Sequence, residues 1–403
     1  MYGLVLEGGG ARGAYHVGAY KALKELNIEI GGISGTSIGA LNGALMVQGD
    51  DKILEDIWYK TNSSDLFDID ESAIINLKTF NLQEINLPYL LNISKEILNN
   101  RGLDTSKIRA LLETYINEDK IRISDKDFGI VTYNLTDKKP MELLKEEIPY
   151  GRLIDFLIAS ANLPAFKIEE MDGKKYLDGG FYDNLPIGVL AKKGYTDFIA
   201  VRTLAIGIVK KVKLKNIKVT YIQPVESLGG VIGALDFNRE RSEEFINLGY
   251  YDTMKVFKKL KGYKYYCYPY KGNFIEFMSE FIILKKGRIR NIGIILGYED
   301  LPVERMLFEK IMPRLENILE MKENNDYQDI IIRLVEQIAD KYEDIERFKI
   351  YNMLEFLNLV VCKFKECPLK YTKNVPAFIK HNKILSLAVK ESLIIEIFAK
   401  LFI

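Results

Sequence analysis

The sequence predicts an α/β domain followed by a helical region. Twice within the first fifty residues a short apolar strand runs into a glycine turn and then into a helix. From about residue 275 the glycines thin out and helical periodicity continues to the C-terminus. The length adds a third argument, because 403 residues exceed what one hydrophobic core usually supports. A soft boundary is expected near 270–300, giving an α/β domain over 1–270 and a mainly helical region over 271–403.

Leu4 to Leu6 reads as a short buried strand entering Gly8-Gly9-Gly10-Ala11-Arg12-Gly13, and Ala14 to Leu26 carries Val17, Tyr20, Leu23 and Leu26 at helical spacing. Gly31 to Ser34 ends a second strand and leads into Gly35-Thr36-Ser37-Ile38-Gly39, after which Ala40 to Gln48 is again helical. Residues 50–125 are mostly helical, with an apolar stretch from Ile74 to Ile93. Strands are expected at Phe128 to Leu135, Met141 to Leu144 and Lys174 to Asp178, with a helix at Arg152 to Ser160. Late strands follow at Asp197 to Thr203 and Lys218 to Pro224, then a long helix from Arg239 to Leu260 and a β-rich stretch from Tyr263 to Tyr270.

Composition narrows the function classes. With 56 Lys+Arg against 56 Asp+Glu, the chain lacks the basic excess that phosphate neutralisation demands, so no nucleic-acid partner is expected. Three Cys cannot build a disulfide framework and read as thiols of a reducing compartment. Two His, His16 and His381, stand almost a whole chain apart, which argues against a multi-His metal centre and against a His-based hydrolase. The start Met1-Tyr2-Gly3-Leu4 lacks the basic and apolar regions of a secretory signal, and no charge-free stretch of about 20 residues is present. A cytoplasmic protein, in peripheral contact with membrane at most, is the expectation.

Gly8 to Gly13 fits G-x-G-x-x-G between a strand and a helix, so a dinucleotide site is a competing reading, with Glu29 as the candidate ribose-binding acid. No Lys-Ser or Lys-Thr follows, which excludes a Walker loop. Backbone N–H groups, a helix start and Arg12 suit an anion there, either a phosphate or a transient oxyanion. Gly35-Thr36-Ser37-Ile38-Gly39 fits the nucleophile elbow G-x-S-x-G, with Gly35 and Gly39 flanking a turn too tight for side chains. Ser37 then needs a base. His16 lies inside a helix, as does His381, and both read as packing or solvated residues. The carboxylate of Leu177-Asp178-Gly179-Gly180 follows a strand, and its paired glycines allow another backbone to come close.

Gly8 to Gly13, Gly35 to Gly39 and Asp178-Gly179-Gly180, in this order, resemble the patatin-like phospholipase family. Ala159-Ser160-Ala161-Asn162-Leu163-Pro164-Ala165-Phe166 is similar to its A-S-x-A-x-P-x-F segment, and Asp178 to Pro186 to its D-G-G-x-x-D-N-x-P extension. Asn162 replaces a small residue, and Lys167 stands where Pro is common. The resemblance spans roughly residues 1–270. It implies a three-layer α/β/α fold with a mostly parallel central sheet and a lipid acyl hydrolase working through an acyl-serine. Ser37 would be the nucleophile and Asp178 its general base, with Gly8, Gly9, Gly10, Arg12 and Gly13 supplying or shaping the oxyanion hole. Arg12 would order that loop or meet a lipid phosphate. Gly179 and Gly180 complete the Asp motif, and no metal or cofactor is called for. A carboxylate has a reference pKa near ~3.9, so such a base must work in close contact or partly desolvated.

Elsewhere the expectations are structural. Ile74 to Ile93 reads first as core helix and second as a cap on an acyl cleft. Ile384 to Ile403 reads first as a packing helix and second as an interfacial one, a use its lack of basic excess opposes. Cys362 and Cys367 would be half a metal site only with outside ligands. The rival functions are a nucleotide-binding protein using Gly8 to Gly13 and a lipid-sensing scaffold acting through the helical region.

Overall fold

A computed structural model describes residues 1–67, 104–163, 166, 170–211, 216–229, 231–272, 276, 286–298, 301–321, 325–371 and 386–403. The Ile74 to Ile93 segment, Pro164, Ala165, Lys167 and His381 fall outside the described residues. The described chain forms two compact units, Met1–Val256 and Phe257–Ile403. The break comes earlier than the expected residue 270, because Tyr265 and Cys267 are already buried in the core of the second unit.

The first unit is built on a mixed sheet. Its strands are β1 (Tyr2–Leu6), β2 (Ile30–Thr36), β3 (Asp127–Asn134), β4 (Lys139–Leu144), β5 (Glu170–Met171), β6 (Lys174–Asp178), β7 (Asp197–Val201) and β8 (Lys218–Ile222). The strands β3-β2-β1-β7-β8 run parallel, and β4, β5 and β6 add antiparallel pairings on the β3 side. From β1 to β3 and in β7 nearly every residue is buried, as a parallel sheet covered on both faces requires.

Alternation along the strands sorts the two faces. Leu6, Ile33 and Phe128 lie against Gly43 of helix α2 (Ile38–Gln48). Gly3, Gly32 and Gly129, an odd number of positions along the same strands, lie against Leu190 and Val189 of the short helix Ile187–Ala191. That second face is completed by Val5, Leu185, Ile187, Phe198 and Ala200. The result is a three-layer α/β/α unit with a mostly parallel sheet.

Helix α1 (Ala14–Glu25) buries Val17, Tyr20 and Leu23 and packs on the helix Arg239–Val256. The two helices approach through a reciprocal glycine contact. A Cβ on Gly18 would overlap the Ile246 carbonyl, and one on Gly249 would overlap the Tyr15 carbonyl. Backbone cannot yield as a flexible side chain does. Gly18→Ala is therefore expected to destabilise the protein by about 1–3 kcal/mol, the usual cost of overpacking, read as a lower denaturant midpoint. An unchanged midpoint would show that the helices can separate without loss.

In the second unit, helices Lys286–Leu296, Tyr327–Ala339, Met353–Glu366 and Leu387–Phe402 share one apolar core. The last helix buries Leu393, Ile394, Ile397, Phe398 and Leu401 in that core, so its apolar face is a packing face. Two sequence expectations are corrected here. The long helix stops at Val256 rather than Leu260, and Lys258 just beyond takes a left-handed φ of 56°. The β-rich stretch shrinks to Tyr266–Cys267, paired in parallel with Ile350–Tyr351. The buried Glu336 explains the loss, because its Oε1 accepts the N–H groups of Tyr263, Lys264 and Tyr265 at 2.7, 3.0 and 2.9 Å. Donors spent on a carboxylate are not available to a strand ladder.

Candidate active site

The register of β3 brings two distant loops together. On β3, residues 127–131 pair with β2, residues 129–134 with β4 and residues 132–134 with β6. A strand has only two hydrogen-bonding edges. Because β4 spans residues that pair with both β2 and β6, those two strands must share the opposite edge, entering from opposite ends. Thr36, the last residue of β2, faces Val131, and Asp178, the last of β6, faces Thr132. The chain leaving β2 is thus Ser37, and it meets Asp178 end to end.

Ser37 sits at φ 56° and ψ −129°, a backbone region disfavoured for any residue with a Cβ. Its N–H donates to Ser160 Oγ at 3.0 Å, and the Ser160 hydroxyl in turn donates to the Val131 carbonyl at 2.7 Å. The turn also needs bare backbone on both sides. A Cβ on Gly35 would strike the Gly39 carbonyl, and one on Gly39 would strike the Leu6 carbonyl. The Ser37 carbonyl starts helix α2 by accepting from Ala40 and Leu41 N–H.

Asp178 is 2% exposed, and its Oδ1 accepts the Gly180 N–H at 2.7 Å. Its own N–H donates to the Asn162 carbonyl at 2.8 Å. Burial pushes its pKa up to about 6, countered by hydrogen bonding from the Ser37 side chain and the Gly180 N–H. The Ser37 contact is looser than a standard hydrogen bond, and Oδ2 has no partner of ordinary geometry among the described residues. Loose contacts of this kind are common before substrate binds. Gly179 is packed onto the Val131 carbonyl, and Gly180 onto Asn184 and the Asp178 carboxylate.

The first glycine loop is pinned from below. Buried Glu7 accepts the N–H groups of Thr203 and Leu204 at 2.7 and 2.9 Å and pairs with Arg202 at 3.0 Å. Gly8 donates its N–H to the Asn184 carbonyl at 3.1 Å, and its carbonyl accepts Thr203 Oγ1 at 2.6 Å. Gly10 takes φ 59° against the Ala234 carbonyl, where a Cβ would not fit. The N–H groups of Gly9 and Gly10 have no acceptor among the described residues. Backbone donors of this kind suit an anion or a developing negative charge. Arg12 is buried, and its Nη2 donates to the Gly229 carbonyl at 2.7 Å. Burial and the nearby Arg241 lower its pKa. The Gly13 carbonyl accepts Asn42 Nδ2 at 2.8 Å.

An apolar cleft of about 850 Å³, counting its open mouth, begins at Gly10, Ser37 and Ile38. Its walls include Leu41, Leu45, Leu112 and Ile116, and a row of aromatic rings completes it. Trp58 stacks on Phe237 at 5.7 Å, and Phe67 stacks on Phe166 at 5.4 Å. A chain of hydrocarbon fits such a mostly apolar lining, with Ser37, Asn42 and Thr61 among its few polar members.

Other candidates are placed elsewhere. His16 is fully buried in α1 with Nδ1 3.3 Å from Asn42 Nδ2, and burial drives its pKa down to about 3. It is a neutral packing residue. Glu29 precedes β2, so it lies at the end of the sheet opposite the glycine loop, and its exposed side chain cannot serve a dinucleotide ribose there. Among the described residues no metal-ligand cluster occurs, and Cys362 and Cys367 are exposed free thiols. No described helix is long and apolar enough to cross a membrane.

Two supporting residues escaped the sequence reading. Ser160 was visible only as a motif letter. Asn42 ties the glycine loop to Trp58, whose Nε1 donates to Asn42 Oδ1 at 3.1 Å. Its signal was an amide in the middle of the otherwise small and apolar run of the helix Ile38–Gln48.

Known proteins resemble this chain in sequence and in fold. The neuropathy target esterase sws of Drosophila melanogaster is 29% identical over 202 residues, 49% of this chain and 12% of that protein. The lysophospholipase NTE1 of Cryptococcus neoformans is 29% identical over 199 residues, again 49% of this chain and 11% of that protein. The chain therefore matches only a small part of these relatives. The crystal structure of VipD from Legionella pneumophila aligns over 100% of this chain and 91% of its own, at 14% identity and a TM-score of 0.38. Residues 4–191 match the family model of the patatin-like phospholipases, the family whose motifs the glycine loop, the serine elbow and the Asp-Gly-Gly turn resemble.

Proposed function

We propose that the chain is a lipid acyl hydrolase that cleaves carboxylic esters through Ser37 and Asp178. The observation that carries the reading is the meeting of a strained serine with a buried carboxylate, the serine itself lining an apolar cleft. An acyl chain lies along Leu41, Leu45 and the aromatic row, which sets its ester carbonyl beside Ser37 Oγ. Ser37 attacks that carbon while Asp178 takes the hydroxyl proton. The tetrahedral oxyanion accepts from the N–H groups of Gly9 and Gly10. Collapse expels the alcohol, which receives the proton from Asp178, and leaves an acyl-serine. Asp178 then deprotonates a water that attacks the acyl carbon, and the fatty acid leaves as Ser37 regains its proton. Arg12 holds the glycine loop through the Gly229 carbonyl. The presence of a lysophospholipase among the relatives makes lysophospholipid the first substrate to try.

The test is a panel of lysophospholipids, phospholipids and acylglycerols, with released fatty acids identified by mass spectrometry. Wild-type protein should release fatty acid from at least one class and Ser37→Ala from none. Equal release by the two proteins would remove Ser37 from the mechanism, and no release from any class would end the reading.

A further inference from the structure

One segment beside the site is neither core nor catalytic. Residues Leu204 to Lys211 cross the turn that carries Asp178 as an extended strap. Ile208 donates its N–H to the Gly180 carbonyl at 2.9 Å and accepts the Asn184 N–H at 2.6 Å. Lys210 N–H donates to the buried Asp183 Oδ1 at 3.3 Å, and Gly207 lies directly on the Asn184 side chain. Ala205 flanks Gly9 of the oxyanion loop. The strap's backbone is thus tied to both loops of the site.

Four of its side chains are open to solvent. Leu204, Ile206, Ile208 and Val209 are 41%, 50%, 38% and 40% exposed, four aliphatic residues within six positions. Leu204 even holds a left-handed φ of 52°, an outlier for a bulky residue, with its N–H fixed on Glu7 Oε2. Apolar side chains kept outward at a conformational cost need a partner. The charge around them says which kind. Between Asp197 and Glu226 the sequence holds no acidic residue but carries Arg202, Lys210, Lys211, Lys213, Lys215 and Lys218. In a chain whose charges balance overall, this is a local basic run at the end of an apolar strap.

We propose that the strap Leu204–Lys211 is the surface by which the protein docks on an anionic lipid layer, its aliphatic side chains entering the interface and its lysines meeting the headgroups. The proposal rests on the reading of the site as a lipid acyl hydrolase, because it places the bilayer next to the loops that hold Ser37 and Asp178. Apolar insertion and basic attraction together give the two signals that reversible membrane binding needs.

Flotation of Ser37→Ala protein with phosphatidylglycerol-containing and pure phosphatidylcholine vesicles tests it without turnover. Preferential binding to the anionic vesicles is expected. Adding Ile206→Ser, Val209→Ser and Lys211→Glu should weaken it about tenfold or more. In an otherwise wild-type chain, the same three changes should leave hydrolysis of a monomeric short-chain ester unaltered and cut hydrolysis in vesicles. Equal vesicle binding with and without the changes overturns the proposal, as does an effect on self-association alone, which would make the strap a contact between copies. Vesicle binding that falls in the variant, in a protein that hydrolyses no ester, would sink the enzymatic reading and leave the docking surface standing.

Discussion

Ser37→Ala is expected to lower ester turnover on the order of a million-fold, the scale seen when an enzyme loses its nucleophile, with the fold intact. Among the described residues of the site, none offers a group placed to replace the hydroxyl. His16 is buried and neutral inside α1, and the nearest carboxylate, Asp178, is held by Gly180. The backbone at this position makes a companion variant informative. Because Ser37 sits at φ 56° and ψ −129°, Ser37→Gly should be as inactive as Ser37→Ala yet more stable, by about 1 kcal/mol. Stability is read from urea denaturation and turnover from a chromogenic short-chain ester. Residual turnover in both variants would move the nucleophile elsewhere. Equal stability of the glycine and alanine variants would mean that the elbow stores no strain.

Asp178→Asn is the second large effect, and it should separate activity from stability. The amide keeps the Gly180 N–H bond but cannot take the Ser37 proton, so turnover should fall on the order of ten-thousand-fold. Burial has raised the carboxyl from an ordinary 3.8 to about 6. The folded state therefore binds this proton more tightly than the unfolded chain. The stability it contributes is full below pH ~4 and is lost as pH rises through about 6. Above that, the carboxylate is a net cost of roughly 3 kcal/mol, from a shift of about two units. Asp178→Asn should then be more stable than wild type at pH 7.5 and lose that advantage at pH 4. Buried Asp183, raised to about 7, adds a pH dependence of the same sign in both proteins. The wild-type rate should fall in proportion to acid concentration below pH ~6, as its base is protonated. A rate flat to pH 5, with no stability gain in Asp178→Asn, would rule out a desolvated Asp178 as the base.

Much of this site could be read from the chain itself, because its signals are local. Glycine at 35 and 39 answers to backbone that passes within contact of its own neighbours or of the adjoining strand end. The strands up to β8, apart from the two-residue β5 that the sequence reading missed, show in apolar runs bounded by turn residues. Longer-range consequences were hidden. The β-rich stretch at 263–270 has strand composition, yet a carboxylate on a distant helix, Glu336, takes its donors. Glu29 has the right spacing for a ribose-binding acid, but spacing does not say at which end of the sheet a residue falls. Ser160 and Asn42 act through partners that lie 123 and 29 residues away in the chain.

By itself the sequence determined that a serine in a glycine elbow and an aspartate before two glycines stand at strand ends, since turn chemistry and strand period depend on neighbouring residues alone. Only the tertiary structure decided that they meet. That follows from β2 and β6 entering one edge of β3 from opposite ends, with Thr36 facing Val131 and Asp178 facing Thr132. Strand register is a property of pairing between segments far apart in the chain, set by what both faces of the sheet bury, and no local pattern encodes it.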